Sequence, residues 1–92
     1  MTTNEPTAAD FFKAAVGDRI REWRETLQIS QATLAERSGL SIYRVRRIEA
    51  GKANPTVTTL QALAKGLEAQ PYELVDVGGE EFGIAAQDRN VD

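Results

Sequence analysis

The chain contains no cysteine and no histidine in 92 residues. The first absence excludes a disulfide framework and thiolate chemistry. The two together remove most zinc sites and the side chain used most often as a general base near neutral pH, so no metal and no cofactor is expected. Catalysis would fall to carboxylates or lysine, and neither is well placed. Glu80, Glu81 and Asp88 lie in the segment after Gly78-Gly79, where adjacent carboxylates have no scaffold to fix their geometry. That glycine pair has no phosphate-loop context, and Lys65 has no evident low-dielectric pocket. The chain therefore reads as a non-enzyme.

Long apolar runs are also missing. None approaches the roughly 20 residues that span a bilayer, so no membrane segment is expected. Residues 1–10 are polar and acidic and lack the basic-then-apolar pattern of a secretory signal, which makes the cytoplasm the expected location. A length of 92 residues with 41% hydrophobic content allows one domain with one small core. A core of that size is marginal, and an intimate dimer would strengthen it.

The net charge of −3 argues against nucleic acid, but its distribution does not. Residues 18–54 carry eight basic and five acidic side chains, a local excess of +3, whereas residues 55–92 carry two basic and seven acidic ones. Nucleic acid responds to the local patch more than to the total.

Apolar spacing is helical throughout. Phe12, Val16, Ile20, Trp23 and Leu27 recur at three- and four-residue steps, which predicts helix 1 over Ala8–Thr26 with these residues on its inner face. Gly17 either interrupts that helix at a cost of about 1 kcal/mol or marks its true start. Ser30 is placed to cap helix 2 (Gln31–Arg37) and Ser41 to cap helix 3 (Ile42–Ala50), with Gly39 and Gly51 as their stops. Pro55 forbids helix just before it. Thr56 then caps helix 4 (Val57–Leu67), and Pro71 opens helix 5 (Pro71–Val75). The domain organisation read this way is a disordered segment 1–7, a helical domain 8–77 and an acidic flexible tail 78–92.

Helix 3 carries the functional signal. At 100° per residue Val45 and Ile48 face inward, while Tyr43, Arg46, Arg47 and Ala50 face outward and Ile42 and Arg44 flank them. Arginine offers a donor fork that matches the acceptors of guanine, and Ile42 or the Tyr43 ring can meet a thymine methyl. A short capped helix and a glycine turn precede it, which is the outline of a helix-turn-helix reading double-stranded DNA. A merely solvated basic face is the competing reading. Gln31, first in helix 2, is either a phosphate contact or plain N-terminal polarity. Lys52 and Asn54 are either backbone contacts or solvated loop. Arg24 and Glu49 flank the inner faces of helices 1 and 3 and are placed to form a partly buried, architectural ion pair.

Residues 16–75 resemble the Cro/C1-type (XRE) helix-turn-helix family. The resemblance is carried by Ile20 and Arg24, by Ile29-Ser30-Gln31 with Leu34-Ala35, and by Gly39 and Ser41. It continues through Val45, Ile48-Glu49 and Gly51, then Pro55, then Thr59-Leu60, Leu63-Ala64 and Leu67. It implies an all-α, five-helix, lambda-repressor-like fold, dimeric, on palindromic operator DNA. Carried over by position, Gln31 would clamp phosphate. Ile42, Tyr43 and Arg47 would face bases with Arg44 and Arg46 beside them, and Arg24–Glu49 would be an internal ion pair. Gln28 and Glu68 stand where glycine is common, so each must accept a strained backbone or a different turn. The length leaves no room for a second sensing domain, which points to small repressors, restriction-modification controllers and antitoxins. For an antitoxin, the acidic segment 78–92 with Phe82 and Ile84 would engage a partner protein.

Overall fold

The computed structural model describes residues 5–77. Five helices make up the regular structure of these residues: α1 (Ala8–Thr26), α2 (Gln31–Ser38), α3 (Ile42–Glu49), α4 (Val57–Gly66) and α5 (Pro71–Val75). The architecture is the all-α, five-helix one that the apolar spacing predicts. α2 ends one residue later than the sequence suggests, and α3 and α4 one residue earlier. The expected tail, 78–92, lies outside the described residues.

Side-chain caps set the helix starts. The hydroxyls of Ser30, Ser41 and Thr56 accept from the N–H groups of Thr33, Arg44 and Thr59 at 3.0, 3.1 and 3.1 Å. Each satisfies one of the amides that a helix start leaves without an internal partner. Thr7, which the sequence suggests to be part of a loose leader, is instead the first residue of a reciprocal cap. Its hydroxyl accepts from the Asp10 N–H at 3.1 Å, and its own N–H donates to the Asp10 carboxylate at 2.9 Å. That N–H holds the Asp10 carboxyl below the usual aspartate range.

Gly39 and Gly51 follow α2 and α3 with φ of 69° and 73°, and Gln28 and Glu68 take the same left-handed region at 60° and 59°. These two side chains therefore accept the strained conformation. Gln28→Gly and Glu68→Gly are each expected to raise the unfolding free energy by about 0.5–1 kcal/mol, because relief of left-handed strain exceeds the added entropy of the unfolded chain. Urea midpoints check this. An unchanged or lower midpoint would mean that the side chains contribute more than the backbone loses. For Glu68 the only candidate among the described residues is an exposed 3.8 Å pairing with Arg37, which is worth little.

The core joins every helix. Val16 and Ile20 of α1 meet Leu34 and Ala35 of α2, Val45 and Ile48 of α3, Leu63 and Ala64 of α4, Leu67, and Leu74 of α5. Trp23 packs against its margin. Phe12 does not belong to it. Phe12 is 42% exposed and Phe11 57%, and burial on α1 begins at Val16. Periodicity identifies the inner side of a helix but not how far its neighbours extend along it. The Arg19 side chain donates to the Glu73 carbonyl at 2.9 Å and ties α5 to α1. No described helix is long and apolar enough to cross a membrane.

Candidate nucleic-acid interface

α3 is buried along one side only. Val45, Ile48 and Glu49 are buried, Tyr43, Arg44 and Arg46 are exposed, and Ile42 and Arg47 are half-buried. Two apolar side chains dock the helix, so the opposite face stands clear of the core. Tyr43 is 65% exposed, an aromatic ring held in water among three arginines.

The network beneath α3 fixes its angle. Arg24 of α1 pairs with Glu49 through both carboxylate oxygens, Nε to Oε2 at 2.7 Å and Nη2 to Oε1 at 3.0 Å. Arg24 Nη1 also donates to the Ile29 carbonyl at 3.0 Å. The Glu49 side chain is 3% exposed and that of Arg24 13%. Hydrogen bonding to Glu49 raises the Arg24 pKa against the opposing effect of burial. The sequence places these two residues near one another, and in the fold they meet. It does not anticipate the third member: Gln31 Nε2 donates to Glu49 Oε1 at 2.9 Å. Gln31 thus directs its amide N–H at α3 in the free protein, while its backbone N–H stays at the start of α2.

The arginines of α3 differ in how they are held. Arg44 Nη2 donates to the Thr59 hydroxyl at 3.0 Å, and Thr59 is itself buried and lies 3.0 Å from the Thr56 hydroxyl. Arg47 Nη2 donates to the Lys52 carbonyl at 2.7 Å, and its guanidinium lies 5.8 Å from the Tyr43 ring centroid, within cation–π range. Arg46 is exposed, and its side chain has no hydrogen bond or ion pair among the described residues. Ser41 is exposed, but its hydroxyl is engaged as the α3 cap. Lys52 and Asn54 are exposed in the loop after α3. None of Arg44, Arg46, Arg47 and Lys52 pairs with a carboxylate of the described residues, so this face keeps its positive charge. Thr59 and the Gln31 amide were hidden from sequence reasoning, because each partner lies 15 or 18 residues away on another helix.

A helix-turn-helix family model matches residues 20–74. An uncharacterised helix-turn-helix-type transcriptional regulator of Sinorhizobium fredii is 37% identical over 71 residues, which is 77% of this chain and 48% of the regulator. The immunity repressor protein of Bacillus phage phi105 is 38% identical over 66 residues, 72% of this chain and 44% of the repressor. The chain spans about half the length of these relatives. Among solved structures, the restriction-modification controller protein C.AhdI from Aeromonas hydrophila superposes with a TM-score of 0.66 at 37% identity, covering 67% of this chain and 94% of the controller. The P22 c2 repressor, solved in complex with a synthetic operator, gives a TM-score of 0.62 at 34% identity, with 66% and 92% covered. The family match takes in all of α2, α3 and α4 and more than half of the 92 residues, so the chain belongs to the Cro/C1-type helix-turn-helix family of DNA-binding transcriptional regulators, which are not enzymes.

Proposed function

We propose that the protein is a repressor or autoregulator that binds a palindromic operator as a homodimer, with α3 in the major groove. The observation that carries this reading is the outward face of α3, where exposed Tyr43 and Arg46 stand opposite the buried Val45, Ile48 and Glu49. Ile42 and Tyr43 occupy the first turn, the end that reaches deepest in this docking mode. Lys52 and Asn54 after α3, and the Gln31 backbone N–H at the start of α2, supply contacts to the phosphate backbone. One chain presents one recognition helix, and two copies related by a dyad would set theirs about 34 Å apart, one turn of DNA. The phage immunity repressor and the operator-bound P22 c2 repressor among the relatives support repression over activation.

Selection of bound sequences from random duplex DNA tests this. The expected product is an inverted repeat whose half-sites are one helical turn apart. An enriched motif without a dyad would remove the homodimer, and no enrichment would remove sequence-specific binding. Within such an operator, Arg46→Ala is expected to cost about 1–3 kcal/mol and to relax preference at one base pair per half-site. Fluorescence anisotropy on matched and singly substituted operators measures this. An equal loss on every duplex would place Arg46 on the backbone instead.

A further inference from the structure

Between α3 and the loop that follows it lies a cavity of about 110 Å³. Arg44, Arg47 and Asn54 line it together with the apolar surfaces of Ile48, Ala53 and Pro55. We infer that this cavity seats a single backbone phosphodiester of the bound DNA, held by Arg44 and Arg47. The inference rests on the proposed DNA-binding role and changes the part Arg47 plays in it, from reading a base to gripping the backbone.

Three observations lead there. First, both guanidiniums are anchored before DNA arrives, Arg44 to the Thr59 hydroxyl of α4 and Arg47 to the Lys52 carbonyl. A base-reading arginine must send its fork straight out along the groove, whereas Arg44 is turned toward the Thr59 hydroxyl and Arg47 toward the Lys52 carbonyl. Each still keeps most of its five N–H donors. Second, neither pairs with a carboxylate of the described residues, so the two arginines that line this small volume both keep their positive charge. Third, the remaining lining suits the rest of a nucleotide linkage: apolar Ala53 and Pro55 match a deoxyribose, and Asn54 adds a neutral donor. Tyr43 and the Lys52 carbonyl keep the Arg47 fork in place before DNA arrives, which lowers the ordering cost of binding.

The test uses the full chain and a selected operator. Arg47→Ala should weaken binding roughly tenfold on operator and random duplex alike. It should also flatten the dependence of log affinity on log salt by about 1.8, the loss of one phosphate contact from each protomer of the dimer. The order of preferred bases should not change. Arg44→Ala should do the same from the α4 side without touching the loop, and the double variant should cost less than the product of the two, since both act on one phosphate. Walking a dyad-related pair of neutral methylphosphonate linkages through the two half-sites should reveal one position per half-site at which wild type and Arg47→Ala bind equally. A loss that no linkage position absorbs, or one that follows a base substitution with the salt slope intact, overturns the inference and returns Arg47 to base reading. Wild type that binds no duplex at all fails the proposed function at the first step, which separates the two failures. Thermal melts of each variant distinguish a lost contact from an unfolded loop.

Discussion

Glu49→Ala is expected to lower the unfolding free energy by about 3–5 kcal/mol, a large share of the stability of a domain this small. The magnitude comes from what is left behind. Glu49 accepts from Arg24 at both oxygens and from Gln31 at one. Its removal strands the guanidinium of an arginine side chain that is only 13% exposed, together with a glutamine amide, and leaves a hole where a buried side chain stood. A buried donor without an acceptor suffers the full cost of its lost hydration. The same substitution releases α3 from both α1 and α2, so operator affinity should fall with stability. Urea unfolding measures the first effect, and a loss below about 1 kcal/mol would show that water satisfies Arg24 well enough to replace the pair. Replacing both charges with apolar residues of similar volume, as in Arg24→Met with Glu49→Leu, should recover much of the stability, because the pair's attraction is largely offset by its desolvation. DNA binding should recover less, since an apolar contact does not fix the angle of α3 through two directed hydrogen bonds.

Much of the fold is legible in the sequence because its signals are short in range. Ser30, Ser41 and Thr56 cap helices by bonding to an amide three residues on, and Gly39 and Gly51 mark the ends of α2 and α3 through a backbone conformation that other residues resist. The inward positions of Val45 and Ile48 follow from helical period alone. Arg24 and Glu49 can be paired because each flanks an inner face of its helix. What is not legible depends on distance between elements. Phe12 continues an apolar stripe, yet the core does not begin until Val16. The anchoring of Arg44 on Thr59, of Arg47 on the Lys52 carbonyl and of Gln31 on Glu49 requires knowing where long side chains fold back across a loop or onto another helix. Helical period therefore identifies which arginines leave the core without separating Arg44 and Arg47, which are anchored on Thr59 and the Lys52 carbonyl, from Arg46.

Gly17→Ala should destabilise the protein by about 1–3 kcal/mol, opposite in sign to what helix propensity alone suggests. Residue 17 lies inside α1, where alanine is ordinarily better than glycine by about 1 kcal/mol. The fold reverses this because the backbones of α1 and α3 come close together there. A Cβ at residue 17 would fall against the carbonyl oxygens of Ile48 and Glu49, 2.8 Å from the latter. Both are backbone atoms, so no rotamer change can make room. α3 must move as a body, and it carries Glu49 away from Arg24 and displaces Tyr43 and Arg46 relative to the rest of the interface. Gly17→Val should be worse, since its branch adds bulk at the same point. Glycine inside this helix is thus neither a helix start nor a tolerated defect. It allows α3 to lie close enough to α1 for the Arg24–Glu49 pair to form. Urea midpoints together with operator affinity test the argument. A midpoint for Gly17→Ala at or above that of the parent chain would mean that α3 shifts at no cost, and would loosen the claimed link between the packing of α1 and the presentation of the DNA-reading face.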